Sequence, residues 1–199
     1  FAQEQMHAGL LRPDDQPASG LAEAARVADE MSTFPDTCPA QAPVALIFDY
    51  ASAWAWDILP QGADFDYFRL VFDAYRALRR QGLSIDLIPV TVTATQLEGY
   101  KAVFAPGIAT LPKETLQALS DIAVPCLIGP RSNLMTHEMS TALPLGPNLP
   151  RLDTRVIRVE SLPPGTSRAV QGGGLVQHWI EATEGDAEVC FAMEDGSPF

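Results

Sequence analysis

Glu4 and His7, in the run Glu-Gln-Met-His, are the sharpest polar pair in the chain. Spacing of three puts both on one face of a helical turn. A carboxylate that accepts and an imidazole that donates could hold the hydroxyls of a sugar. A capping contact or an irregular chain end would use the same two residues with no ligand. Cys126 and Ser132 are the candidate nucleophiles. Cys126 sits in the apolar run Val124–Ile128, where a buried thiol packs as a small hydrophobe with a raised pKa. Ser132 lacks the GxSxG surround that strains and exposes a nucleophile, and reads as a loop serine. His137 and His178 have no partner at ligand spacing. Asp49 and Asp86 are placed to hold loops by accepting backbone amides, and nothing pairs them for acid–base work. Glu181, Glu184, Asp186 and Glu188 read as a solvated strand edge. Cys38, Cys126 and Cys190 are too scattered for a metal clip or a disulfide framework, so no metal and no cofactor is expected.

Trp54 and Trp56 differ from these polar candidates. With Tyr50 they crowd a short stretch that reads as a loop after a strand. Such a group either packs locally over a sheet edge or anchors a contact with another subunit or domain, a role in which Trp is enriched. Stacking on a sugar is a further use for a pair of indoles.

The elements that must position these residues follow from pattern. Residues 1–17 are irregular, and apolar spacing predicts a helix over Ser19–Met31, capped by Ser19 or Asp15. Phe34–Pro43 is a proline-rich linker. Val44–Tyr50 is apolar on both faces, as a central strand of a covered sheet must be. A helix follows over Asp64–Gln81, then strands at Ser84–Val90 and Tyr100–Ala105. A helix at Pro112–Ile122 and a strand at Val124–Ile128 complete the series. This rhythm predicts an α/β fold, a flavodoxin-like three-layer sandwich with a mostly parallel sheet. Beyond residue 131 the chain loosens, with strands expected at Val156–Glu160, Gly174–Glu181 and Ala187–Met193. The last two are expected to form a hairpin with Gly185 in its turn.

Such sheets bind ligands beyond the carboxyl ends of their strands. The run after Val44–Tyr50 has no glycine-rich turn to cradle a phosphate, which argues against flavin or dinucleotide binding. The positions resemble the class I glutamine amidotransferase version of the fold, but the nucleophile elbow of that family is absent. Thirteen basic against 25 acidic residues give a net charge of −12, which disfavours nucleic acid and anionic membranes as partners. No apolar run reaches the length of a membrane span. Three scattered cysteines fit a reducing, cytoplasmic compartment. The chain starts without Met and reads as a piece of something longer.

Two segments carry a family resemblance. FAQEQMHAGLLRPDDQPASGLAEAARVADEM, residues 1–31, resembles the last stretch of the catalytic barrel of glycoside hydrolase family 42 β-galactosidases. PVALIFDYASAWAWDILPQGADFDYFRLVFDAYRALRRQGLSIDLIPV, residues 43–90, resembles the start of the trimerisation domain of the same enzymes, and Leu97–Gly107 continues it. The resemblance implies two regions: residues 1–42 as the barrel's tail, and residues 43–199 as an amidotransferase-like trimerisation domain. It departs from the family at Ala51, where many members carry glutamate.

It further implies hydrolysis of terminal β-D-galactosides with retention by two barrel glutamates, about 5–5.5 Å apart in that mechanism. The segments bearing those glutamates, and the zinc-binding cysteines of some members, are expected upstream of this chain. Glu4 and His7 would line the galactose pocket only with the barrel present. The chain itself would be a structural piece, inactive alone, assembling as a homotrimer through surfaces that include Trp54 and Trp56. Eleven of its 13 basic residues are arginines, which suit bidentate interface pairing. An amidotransferase-like hydrolase and a sugar-binding module are the competing readings.

Overall fold

A computed structural model describes residues 9–34 and 40–198. The chain divides into two compact units, residues 1–40 and 41–199. The first contains helix α1, Leu21–Ser32. Its N-cap position falls on Gly20 with no side-chain cap, so neither Ser19 nor Asp15 serves. Arg26 lies 3.9 Å from Glu23 and 3.6 Å from Glu30, and the Thr33 hydroxyl closes the far end by donating to the Glu30 carbonyl at 2.7 Å.

The second unit is built on four parallel strands: β1 (Val44–Phe48), β2 (Ile85–Pro89), β3 (Ala102–Ala105) and β4 (Cys126–Ile128). Their order is β2-β1-β3-β4, the first four places of the flavodoxin-like sheet. Between them run α2 (Tyr50–Ile58), α3 (Tyr67–Arg80), α4 (Ala94–Leu97) and α5 (Lys113–Asp121). The chain moves one way from β1 to β2 and the other way from β2 to β3 and β4. Right-handed crossovers therefore put α2 and α3 on one face of the sheet and α4 and α5 on the other.

β1 is the central strand, with Val44 through Ile47 all buried. β2 and β4 are the edges, where Leu87 and Leu127 lie exposed. The core gathers Leu46, Ile47, Val103, Trp56, Tyr67 and Leu97 from both faces. Two side-chain bonds lock the layers. Thr115 on α5 donates to the Val90 carbonyl at 2.5 Å, and the Tyr100 hydroxyl donates to Asp86 at 3.0 Å. Asp86 also accepts the Ala42 amide at 3.0 Å, the loop-holding role its position suggested.

Two small antiparallel pairs follow. β5 (Arg155–Ser161) pairs with β8 (Trp179–Glu184), and β6 (Arg168–Ala169) pairs with β7 (Leu175–Val176). The strand expected over Gly174–Glu181 is thus two strands. His178 interrupts it at φ 70°, a left-handed conformation that turns the chain out of one pairing and into the other.

The hairpin expected around Gly185 does not form. Gly185, at φ 141°, passes so close to the Asp153 carbonyl that a β-carbon would not fit. Ala187 then donates to that carbonyl at 3.2 Å. The chain is drawn to the start of β5, and residues 187–193 make only isolated bridges, such as Val170 with Met193.

Candidate functional site

The place to look for a ligand site is the crevice between β1 and β3, beyond their carboxyl ends, where the direction of winding reverses. Asp49 ends β1 and caps α2. Its carboxylate accepts the Ala51 and Ser52 amides at 3.3 and 2.7 Å, and the Ser52 hydroxyl at 2.6 Å. Side-chain capping of this kind pulls a helix start out of what reads as a loop. Tyr50, Trp54 and Trp56 are therefore helical, a correction to the loop expected there.

The crevice is filled by the chain's own groups. The loop after β3 turns at Gly107, with φ 61°. A β-carbon there would sit 2.9 Å from Leu70 Cδ2. The backbone groups of this loop, which in such folds could face an anion, are taken. The Trp56 indole N–H donates to the Gly107 carbonyl at 2.6 Å. The Ile108 amide donates to Ser132 Oγ at 3.3 Å, the Ala109 amide to Ser52 Oγ at 2.9 Å, and the Leu111 amide to Asn133 Oδ1 at 2.9 Å. The Asp49 amide donates to the Tyr67 hydroxyl at 3.3 Å, and burial pushes that phenol well above its usual pKa.

Behind the crevice lies a residue that sequence reasoning passed over. Arg131, at φ 66° and 1% exposed, is the largest of the fully buried side chains. Its guanidinium carbon lies 3.8 Å from the Trp56 ring centroid, 4.2 Å from Phe65 and 4.5 Å from Trp179. It donates to the Pro60 and Leu59 carbonyls at 2.6 and 3.0 Å. Its own amide donates to Glu181 at 2.7 Å, and Glu181 also accepts the Trp179 indole at 2.9 Å. Glu181 is thus an internal acceptor, where a solvated edge was expected. Burial pulls the Arg131 pKa down to about 10 against the pull of Glu181, so the cation persists at neutral pH. No local signal announces this cage, because its rings come from positions 56, 65 and 179.

The other candidates separate. Ser132 is buried, and its hydroxyl donates to the Ala105 carbonyl at 3.4 Å. It is a latch between β3 and its loop. Cys126 is exposed on the edge strand β4, a correction to the buried thiol expected. That strand is an edge of the sheet, yet partial burial still raises the thiol's pKa. Its hydrogen bond goes to the Val124 carbonyl at 3.5 Å. His178 does have a partner, Asp64, at 3.0 Å. Asp64 therefore pairs across the fold, and Asp66 alone caps α3 by accepting the Arg69 amide at 2.6 Å. Glu4 and His7 lie outside the described residues, as does Cys38. Among the described residues, no group of three His, Cys, Asp or Glu side chains could hold a metal ion.

The two tryptophans also separate. They are two positions apart, on opposite sides of α2. Trp56 is 2% exposed and belongs to the core and the arginine cage, so the paired stacking platform is not formed. Trp54 is 63% exposed. Around it runs an aromatic chain in which Phe48 meets Tyr50 edge-on at 4.8 Å, and Tyr50 lies 6.4 Å from both Trp54 and Phe68. The crevice is occupied internally, and the outer face of α2 and α3 carries exposed apolar side chains at Tyr50, Trp54, Ile58, Phe68 and Phe72.

The family described as the β-galactosidase trimerisation domain matches residues 42–195. A β-galactosidase of Thermus thermophilus is 44% identical over 190 residues, which span 92% of this chain and 29% of that protein. The crystal structure of the β-galactosidase from the psychrophilic Marinomonas ef1 superposes with a TM-score of 0.76 at 32% identity, covering all of this chain and 32% of that one. The β-galactosidase of the Antarctic haloarchaeon Halorubrum lacusprofundi superposes at 0.74 with 33% identity, over 98% of this chain and 30% of that one. The chain spans about a third or less of these relatives. On the family match and the 44% identity, this chain belongs to the β-galactosidase trimerisation domain family.

Proposed function

We propose that residues 43–199 are the trimerising support of an enzyme that hydrolyses terminal β-D-galactosides. Residues 1–42 would then be the tail of its catalytic barrel, with Glu4 and His7 binding galactose once the barrel is present. The reaction belongs to the part of the longer protein that the relatives possess and this chain does not span. Three copies assemble as a homotrimer, and the compartment is the cytoplasm, a setting consistent with exposed free thiols at Cys126 and Cys190.

One observation carries this reading. The crevice where such a sheet keeps its chemistry is closed by Ser52, Trp56, Ser132 and Asn133, while large apolar side chains stand on the outer helices. A trimer of cyclic symmetry joins one patch to a different patch on the next copy.

Sedimentation equilibrium of the 199-residue chain tests it together with an assay on nitrophenyl β-galactoside. The expected result is three chain masses and no turnover. A single chain mass at every concentration, or turnover that survives purification, defeats the proposal.

A further inference from the structure

Resting on that reading, we infer that the outer face of α2 and α3 docks into the groove beside β5 on a second copy of this chain, with Trp54 as its central anchor. Tyr50, Trp54 and Ile58 follow one another at i, i+4 and i+8 along α2, and Phe68 and Phe72 at i, i+4 along α3. All five are more than half exposed. Side chains that recur at this spacing form a continuous stripe, and the 6.4 Å approach of Tyr50 to Phe68 joins the two stripes into one face. Taking about 200 Å² for each large side chain, the exposed part comes to roughly 600 Å². A stable interface covers about 800 Å² per partner. This face therefore supplies most of the apolar core of a contact, and single exposed apolar residues do not cluster in this way.

The receiving surface is on the same unit. A groove of about 330 Å³ is lined by Met135, Met139, Ile157 and Val159 and walled by Trp56 and Trp179. That volume equals roughly eleven water molecules, more than an indole displaces. Methionines on its lining adapt to the shape they receive. The face and the groove differ in kind, one a projecting aromatic ridge and the other a concave apolar slot. A head-to-tail ring requires such a pair.

Charge favours a second copy as the occupant. α3 carries Arg69, Arg76, Arg79 and Arg80 against Asp73 alone, in a chain whose net charge is −12. Arg69 and Arg76 share Asp73 at 2.9 and 2.8 Å. The helix is thus a basic strip on an acidic molecule, and the surface it complements is another copy's. At the groove, Glu138, beside Met139 in the chain, is the acid open to α3's arginines, while Glu160 is already held by Arg168 at 3.1 Å and Arg158 lies in the lining.

The test is sedimentation of the 199-residue chain carrying Trp54→Glu, or Met139→Glu in the groove, with Leu87→Glu on the exposed edge of β2 as control. Each of the first two is expected to raise the concentration at which trimers half-dissociate by at least about thirtyfold, the size of a hot-spot loss. Circular dichroism stays that of the parent, because these side chains lie outside the core, and the melting temperature falls only as far as the lost association requires. Leu87→Glu leaves the mass at three chains.

Mixing the Trp54 and Met139 variants is the sharper arm. One partner retains an intact groove and the other an intact ridge, so they make one good contact and stop at two chains. A parent trimer that Trp54→Glu and Phe68→Glu leave intact overturns this assignment and leaves the trimerising role standing. A parent chain that is monomeric overturns both.

Discussion

Arg131 shows how much one residue can organise when the chain's own rings and carbonyls surround it. Three aromatic faces and two carbonyls converge on a cation taken almost wholly out of water, and Glu181 holds the same residue by its backbone amide. Desolvating a charge is offset only when such partners are complete. The Nε atom alone has no acceptor, which marks the cage as nearly but not fully satisfied. Arg131→Ala would leave the Leu59 and Pro60 carbonyls without their donors and open a void between Trp56 and Trp179, while Glu181 keeps the backbone amide of residue 131 and the Trp179 indole. The expected loss is roughly 3–5 kcal/mol of folding stability, read from urea denaturation. Arg131→Lys keeps the charge but not the planar fork that reaches two carbonyls and stacks on rings. Its loss is expected to fall between that of the alanine variant and the parent. Equal losses for Lys and Ala would show that the fork geometry, and not the charge, holds the cage.

Tyr67 joins α3 to the junction of β1 and α2, and its titration is a property of how those elements pack. Burial raises its pKa above the usual 10.0. Below about pH 10 both the folded and unfolded chains keep the proton, and this group adds no pH dependence. Above it, the unfolded chain releases a proton that the folded chain retains, so stability falls as pH rises. The slope reaches about 1.4 kcal/mol per pH unit. Tyr67→Phe removes the acceptor of the Asp49 amide, at a loss of about 1 kcal/mol near neutrality, but it also removes this slope. Urea midpoints are expected to favour the parent at pH 8 and to converge with those of the variant near pH 11. A constant gap across that interval would remove the phenol from the account. Tyr100, raised by burial and then by Asp86, acts in the same direction in both proteins.

The same elements show what was legible in sequence. The parallel sheet was, because β1 is apolar on both faces and the flanking helices keep a wide apolar stripe. The short helix from Tyr50 was not, since its start depends on the Asp49 cap and its alanines and tryptophans carry no clear period. The arrangement after residue 131 was not either. It hangs on His178 in the left-handed region and on the approach of Gly185 to Asp153, both set by partners distant in the chain.

At the scale of the whole molecule, two opposed fields bear on the proposed contact between copies. Each copy carries −12, which repels its neighbours, while α3 presents a locally basic strip at the proposed contact. The Debye length separates them. At about 0.01 M salt it is roughly 30 Å, long enough for all the charge on two copies to interact. At about 0.15 M it is roughly 8 Å, which screens the molecules as wholes but leaves charges across a contact in touch. The apolar ridge, with Trp54 at its centre, depends on neither. If burial of that ridge drives assembly and net charge opposes it, association must tighten as salt rises over this interval. Sedimentation of the same chain at the two salt concentrations measures the sign. A trimer that instead loosens would mean that ion pairs, with α3's arginines foremost, hold the ring. Trp54→Glu would then act mainly by adding a repelling charge, and Trp54→Gln would restore assembly. Under the apolar account Trp54→Gln stays as defective as Trp54→Glu, because both remove the indole that fills the groove.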